Sequence, residues 1–596
     1  MPVMKSTGIL VTEAAGSDHA IAPLPTAVTA FVGRALRGPV NRPVTVCSFA
    51  DYQQVFGGLW QPSTMSYAVE QFFENGGREA VVVRVVNGGA PATISLPCGT
   101  ETLTLEALSP GSREVLRASI DYDNITALEE DRFNLVVQRV RALGSEHIED
   151  QEIFRRVSVT PDTARFVVTA LQESALVQVR GPVPTTRPDR TFRPGSRHPI
   201  GYLHSNPDGD DGAPLTDYDL IGSPERRTGL FALSEVDGIH FLCVPPPTRD
   251  RDVGPSLLLA AAQFCRDRHL MLVVDPPAAW TTCDEVLQGL RALDFRSDHA
   301  LMCFPRIQAF DRLRGRQEVF PNCGAVAGSL ARADLHRPLW TVGPDEEVLL
   351  RQGTQPAHVL TDAERHRLVA YGINPLQSLR AAGARGAPLK TLARGTGAGP
   401  DSTLLTARRR NLLVAGSIER GTRWARFEGG DRGAWLRLVR QVRAFLQPLA
   451  AAGIFGSTTE GEPYLVVCDE RLNSPLDLAR GVVNVLVSLR GQRPTDYQSW
   501  LITHGPQGSR LRSVRSNHLP VGTRFTVPEA AAAEGLDDTQ PRRTVAQELF
   551  ARPPAPRPAP SDHLSALDAE ATAPRRRDLD LVTRLREELG RRGQHF

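Results

Sequence analysis

The sequence predicts an α/β protein of several domains, with a β-rich segment inserted into an α/β core and extended strands near its ends. Three observations carry this. From residue 200 onward, short β-branched runs alternate with amphipathic ones, the strand–helix–strand rhythm of α/β folds. Residues 88–199 break that rhythm with short alternating runs between Gly, Pro and acidic turns, which reads as β. Trp435, Leu438, Val439, Val442, Phe445, Leu446 and Leu449 recur at i, i+3, i+4, i+7, i+10, i+11 and i+14, one apolar face of a helix.

In order, residues 1–26 hold one strand-like run, Gly8–Glu13, in an arm without helical period. Fully extended, at ~3.3 Å per residue, it reaches roughly 80 Å, far enough to touch a neighbouring chain. Thr26–Gly33 reads as a strand and Tyr67–Glu74 as an amphipathic helix. Asn75-Gly76-Gly77 stops that helix before the buried strand Ala80–Val85. In the inserted segment, strands are expected at Thr100–Leu105, Phe133–Val140, Arg165–Ala170 and Leu176–Val179, and Arg180–Arg197 leads back to the core. Next come a strand at Phe241–Val244, a helix at Ser256–Arg268, a strand at Leu270–Val274, a helix at Asp284–Leu293 and a strand at Ala300–Phe304.

Ser417–Gly421 ends a helical segment, and Trp424–Glu428 alternates like a strand. Asp431 is placed to cap the periodic helix, which the Ala450–Gly453 run ends. Strands follow at Tyr464–Cys468, Val482–Leu489 and Tyr497–His504, with Pro494 as a breaker. Beyond lie a proline-rich linker, Ala551–Pro560, and a charged helix, Leu579–Gly590.

Composition narrows the function. At 596 residues, the chain has room for roughly two to four domains. Hydrophobic residues make up 41% and charged residues 23%, with a formal net charge of +2. That is an ordinary globular balance without a polyanion-binding signature, so nucleic acid is not implied. Lysine occurs only at Lys5 and Lys390; arginine carries the positive charge. The eight cysteines have no C-x-x-C pair and mostly sit in apolar runs, as buried free thiols do in a reducing compartment. No run approaches the ~20 apolar residues of a membrane span, and Met1–Ala15 lacks a signal-peptide layout. Synthesis and folding in the cytosol are expected, with no direct membrane insertion.

Chemical motifs are sparse. Gly395–Gly399 resembles a phosphate cradle, but Pro400 follows and no Lys-Ser/Thr pair closes it; a loop is the simpler reading. Asn206–Gly212 has the composition of a calcium loop, but its glycine comes one place late and no glutamate stands at the twelfth position. No G-x-S-x-G elbow or H-E-x-x-H spacing is present. A triad can be drawn by hand from His240 with Asp275 or Asp237, but no serine context supports it. No catalytic residue, cofactor or metal site is expected. Arg437, Arg440 and Arg443 form a basic stripe opposite the apolar face of the 435–449 helix, which by itself reads as a solvated face.

The wording of several stretches is more specific than their periodicity. Ser417-Ile418-Glu419-Arg420-Gly421, Trp424, Phe427-Glu428 and the helix from Trp435 resemble the C-terminal region of contractile tail sheath proteins, the sleeve of myophage tails, R-type bacteriocins and phage-tail-like injection systems. Gly8–Glu13, Thr26–Gly33, Phe72-Phe73-Glu74-Asn75-Gly76-Gly77, Arg227–Leu233, Phe304–Ile307, Pro321–Gly328 and Gly372–Leu376 fit the same family, and the likeness spans residues 7–87 and 200–504. Thr7 stands where the family usually has proline.

The resemblance implies a subtilisin-like core without protease activity and the following division: arm 1–29, core 30–87, inserted domain 88–199, core 200–390 and C-terminal domain 391–504 ending in an arm strand; beyond the likeness, composition alone sets off an extension 505–577 and a helix 578–596. It implies a homo-oligomeric helical sheath around an inner tube protein, with baseplate and terminal cap proteins as further partners. Ile9, Leu10 and Val11, together with Leu501, Ile502 and Thr503, become candidate inter-subunit strands. Arg437, Arg440 and Arg443 become candidate contacts to the inner tube. The alternatives are a non-contractile structural or surface-layer protein reusing this fold and, more remotely, a subtilisin-like hydrolase.

Overall fold

A computed structural model describes residues 20–514 apart from 192–200, 338, 340–347, 352, 379–387, 394–398, 428–431, 456–461 and 492–496. All of these belong to one compact unit. The first elements are β1 (Thr29–Gly33), β2 (Val44–Val46), α1 (Phe49–Phe56), α2 (Thr64–Glu74) and β3 (Ala80–Arg84). Ser48 caps α1 and Ser63 caps α2, each accepting from a first-turn N–H as short hydroxyl side chains do. Asn75 ends α2, and Gly76 takes a φ of 108°, open to glycine at little cost.

The inserted segment holds β4 (Pro91–Cys98), β5 (Glu101–Pro110), β6 (Leu116–Asp121), β7 (Arg132–Val140), β8 (Ile148–Ser158), the short helix α3 (Val167–Ala170), β9 (Val177–Arg180) and β10 (Leu203–His204). Its strands form two antiparallel sheets, β4-β5-β9 and β10-β6-β7-β8. Their inner faces share one core, with Ile94, Leu103, Leu135, Val137 and Val177 among its members. Arg165–Ala170 was expected as a strand; its second half is instead a helical turn that buries Val167. Six residues are too few for period to separate the two states.

The remaining elements of the core are α4 (Asp217–Ile221), β11 (Phe241–Cys243), α5 (Pro255–Arg268), β12 (Met271–Val274), α6 (Cys283–Leu293), β13 (Ala300–Phe304), β14 (Ile307–Asp311), β15 (Arg316–Phe320), α7 (Cys323–His336), β16 (Leu349–Leu350), β17 (Gln355–Pro356), α8 (Asp362–Ala370), β18 (Asn374–Pro375) and β19 (Gln377–Ser378). The central sheet has seven strands in the order β18-β13-β12-β11-β1-β3-β2. Every pairing in it is parallel except β2–β3.

Alternation along these strands sorts their side chains into two cores. Ala30, Val81, Val83, Leu242, Leu272 and Met302 face α5 and α6. Phe31, Val82, Phe241, Met271, Val273 and Cys303 face α2 and α7. A parallel sheet covered on both faces explains why these runs read as continuously apolar. The approach of α2 to α7 is close: a Cβ on Gly324 would lie 1.9 Å from the Ala68 carbonyl oxygen, and one on Gly328 2.3 Å from that of Phe72.

The C-terminal elements are α9 (Pro400–Thr403), α10 (Leu405–Gly421), α11 (Arg432–Ala451), β20 (Tyr464–Val467), α12 (Pro475–Ala479), β21 (Val483–Arg490), β22 (Tyr497–Gly505) and β23 (Gly508–Val514). Ser417–Gly421 therefore lies within one helix. The strand expected at Trp424–Glu428 is instead a 3-10 turn over Arg423–Arg426. It turns the chain from α10 into α11 and is held where the Trp424 indole donates to Gln441 Oε1 at 2.8 Å. Asp431, Gly395, the proline-rich linker and the charged helix lie outside the described residues.

Candidate functional site

On α11, Trp435, Leu438, Val442, Phe445, Leu446 and Leu449 are buried and Val439 is half-buried. The Trp435 indole N–H finds no acceptor among the described residues. The opposite side carries the basic stripe: Arg437 and Arg440 are exposed, and Arg443 is half-buried, close enough for its charge to favour ionisation of Tyr464, whose pKa burial nonetheless raises.

The sheet beside this helix runs β20-β21-β22-β23, antiparallel throughout. The chain does not finish on the strand that ends at His504, because β23 folds back on it. Leu501 pairs with Leu486 on one side and Arg512 on the other, Ile502 with Val485 and Leu511, and Thr503 with Asn484 and Arg510. In this arrangement both ladders of Leu501, Ile502 and Thr503 are filled, so these residues offer no free edge. The edges without a ladder partner among the described residues belong to β20 and β23. The expectation missed this because the sequence past His504 lacks a strong apolar alternation: β23 is exposed or half-buried along its length. Ile9, Leu10 and Val11 lie outside the described residues.

Where this sheet meets the core there is a cleft of about 940 Å³, lined among others by Leu24, Pro25, His269, His299, Arg420 and Arg510. Two histidines that line it, His269 and His299, and a third next to the lining residue Thr503, His504, tie its surroundings together. His269 Nε2 lies 3.2 Å from the Leu511 carbonyl, tying β23 to the end of α5. His299 sits between the Leu270 carbonyl (2.9 Å) and Arg408 (2.6 Å). His504 bridges Thr422 Oγ1 at 2.9 Å and Ser509 Oγ at 2.7 Å. Burial depresses all three, His269 and His504 to about 4 and His299 to about 3, because desolvation disfavours imidazolium.

Arg408-Arg409-Arg410 lies on the buried part of α10. Arg409 is fully enclosed and donates to Asp334 at 2.6 Å and to His240 Nε2 at 3.1 Å. Such an enclosed guanidinium is tolerable only with partners on its donors. Sequence reasoning passed over this cluster; its one signal was three arginines in a row inside an otherwise apolar helical run.

The residues of the hand-drawn triad are engaged elsewhere. His240 accepts from Arg409. Asp275 accepts from the N–H groups of Asn322 and Cys323 at 2.7 and 2.8 Å, capping α7. Asp237 pairs with Arg423 at 2.9 Å. The calcium-like loop is also spent: Asp208 accepts from Thr93 N–H and hydroxyl, and Asp211 from those of Ser112. These carboxylates staple the return of the inserted segment to its entry. Among the described residues no group of three His, Cys, Asp or Glu side chains could hold a metal ion, and no helix is long and apolar enough to cross a membrane.

No family model matches the chain. Over 355 residues it is 22% identical to the tail sheath protein of Burkholderia phage BcepMu, covering 57% of this chain and 64% of that protein. In structure it overlays a sheath tail protein from Listeria innocua with a TM-score of 0.54 at 12% identity, covering 82% of this chain and 96% of that one. The chain has the tail sheath fold. The contracted sheath of the PVC extracellular contractile injection system also aligns, with 15% identity and a TM-score of 0.46, over 83% of this chain and 96% of that one. The alignment with the phage protein spans under two thirds of that protein's length. What the sheath fold places at the candidate site is a mixed α/β body with a four-stranded C-terminal sheet, open at both edges among the described residues.

Proposed function

We propose that this chain is the structural subunit of a contractile tail sheath, polymerising helically around an inner tube and shortening to drive that tube through a target envelope. The observation that carries this reading is the sheath fold over most of the chain together with the open-edged sheet β20–β23. A strand from a neighbouring copy placed on β23 or β20 gains main-chain hydrogen bonds. A head-to-tail contact of that kind propagates instead of closing. The arm strand Ile9–Val11 is the proposed donor. Leu501–Thr503 is the proposed acceptor's interior, or a donor itself if β22 and β23 leave the home sheet during assembly.

On this reading the core is a subtilisin-type α/β body without catalysis. The parallel sheet covered on both faces is consistent with that, and so is the engagement of His240 with Arg409. The stripe Arg437, Arg440 and Arg443 would meet acidic groups on the inner tube through charge-assisted hydrogen bonds, weakened by salt wherever they stay exposed. Baseplate and cap proteins would bind the ends of the sleeve. The division into 1–29, 30–87, 88–199, 200–390 and 391–504 belongs to the same proposal, with the last piece extended to residue 514.

Negative-stain electron microscopy of the purified chain tests this: hollow tubes with helical ridges are expected. Solid fibres or flat sheets would favour the non-contractile surface-layer reading. Labelling by a serine-reactive probe would favour a hydrolase.

A further inference from the structure

The cleft between the core and the C-terminal sheet carries more positive charge than its own carboxylates neutralise. Of its acidic residues, Asp237 and Glu419 are held by Arg423, and Asp298 by Arg408. Arg266, Arg420, Arg510 and Arg512 line the same cleft and are exposed, and among the described residues no carboxylate lies within ion-pair distance of any of them. They come from three elements, the end of α5, the end of α10 and β23, so the fold gathers them and no single helix does. Asp267, which accepts from Gln263, is the remaining anion. The floor is firm: Trp500 is buried and Arg408 is tied to both His299 and Asp298. Such a cleft fits an extended peptide bearing several carboxylates, each matched by a forked guanidinium.

We infer that its occupant is the chain's own segment 528–537, Pro-Glu-Ala-Ala-Ala-Ala-Glu-Gly-Leu-Asp. This stretch carries Glu529, Glu534 and Asp537 and no Lys or Arg. The described chain leaves the cleft wall itself, since Ser513 lines it and Val514 follows. The thirteen residues between reach about 40 Å when extended, ample to fold back. The other end of the chain also passes here, at Leu24 and Pro25, but residues 1–19 bear Lys5 against Glu13 and Asp18, a net charge too small to match four arginines. The acidic segment is therefore the occupant whose charge matches the cleft, and salt weakens its hold.

The test uses the full chain, unassembled and at low ionic strength, with the photoreactive residue benzoyl-phenylalanine in place of Ala532. Irradiation and mass spectrometry should give an intramolecular link to peptides around Arg420 or Arg510. Reversing the segment's charge with Glu529→Lys, Glu534→Lys and Asp537→Lys should lower that yield about tenfold, the ~1.4 kcal/mol of three exposed ion pairs. Adding Arg420→Glu, Arg510→Glu and Arg512→Glu should restore it, which an unfolded variant could not do. A link elsewhere on the chain, a link only between two copies, or a yield indifferent to charge would overturn the inference.

Discussion

Gly328→Ala sets two effects of known sign against each other. Gly328 lies inside α7, and replacing glycine by alanine in a helix interior is favourable by about 1 kcal/mol. The new Cβ, however, would lie 2.3 Å from the Phe72 carbonyl oxygen and 3.1 Å from Asn75 Cβ. The first contact is with backbone, so a rotamer change cannot relieve it, and α2 and α7 must part by about an ångström. Overpacking of this kind costs about 1–3 kcal/mol, and the separation also loosens Phe72, Val326 and Leu330 in the core they share. The structure therefore predicts a net loss of about 2 kcal/mol, roughly a 30-fold faster amide exchange in α7.

Gly416→Ala is the matched control: it too lies inside a helix, α10, but its Cβ would meet only the tip of Leu24, at 2.9 Å. That side chain can turn away, so exchange in α10 should stay unchanged or slow. Hydrogen-exchange mass spectrometry of the two variants measures both. Equal or greater protection of α7 in Gly328→Ala would refute the packing argument, and so would matching effects at the two glycines.

Acid should loosen the C-terminal sheet. His269, His299 and His504 are neutral when folded, with values near 4, 3 and 4, against about 6.5 when unfolded. The unfolded chain binds protons first as pH falls, so this stability is complete above pH 6.5 and is lost progressively below it, by about 2 kcal/mol per histidine at pH 5. Amide exchange in β22 and β23, corrected for intrinsic rate, should accelerate between pH 7 and 5, and His504→Gln should flatten that dependence. Arg409→Met removes the fully enclosed partner of Asp334 and His240 and should destabilise the region by about 3–5 kcal/mol, read as early thermal release of α10 peptides to protease. Deleting residues 1–14 should leave a folded monomer by circular dichroism while abolishing tubes in the microscope; normal tubes would sink the arm proposal.

Much of the fold was legible because its sheet is parallel and covered on both faces. Phe241–Val244, Leu270–Val274 and Ala300–Phe304 are continuous apolar runs whose lengths suit strands, and each corresponds to a strand of the central sheet. The glycines of Pro321–Gly328 read as a family pattern; their physical reason, the close approach of α7 to α2, needs the three-dimensional neighbour. Short segments misled. Arg165–Ala170 and Trp424–Glu428 are too brief for period to decide, and tertiary contacts such as Trp424 to Gln441 settle them. The second ladder of β22 was invisible because β23 earns its place by pairing, with little burial to mark it. The arginine cleft could not be read at all, since its residues come together from α5, α10 and β23 and share no spacing in the chain.

The central claim is an assembly with two lengths. Cryo-electron microscopy of the chain co-expressed with the inner tube and baseplate proteins proposed as its partners tests it most directly, by comparing the axial repeat of intact and triggered particles. A sheath subunit predicts a helical sleeve around the tube in the first state and a shorter, wider and empty sleeve in the second. A single axial repeat in both states would contradict contraction, and a tube left bare of this chain would contradict the sheath itself.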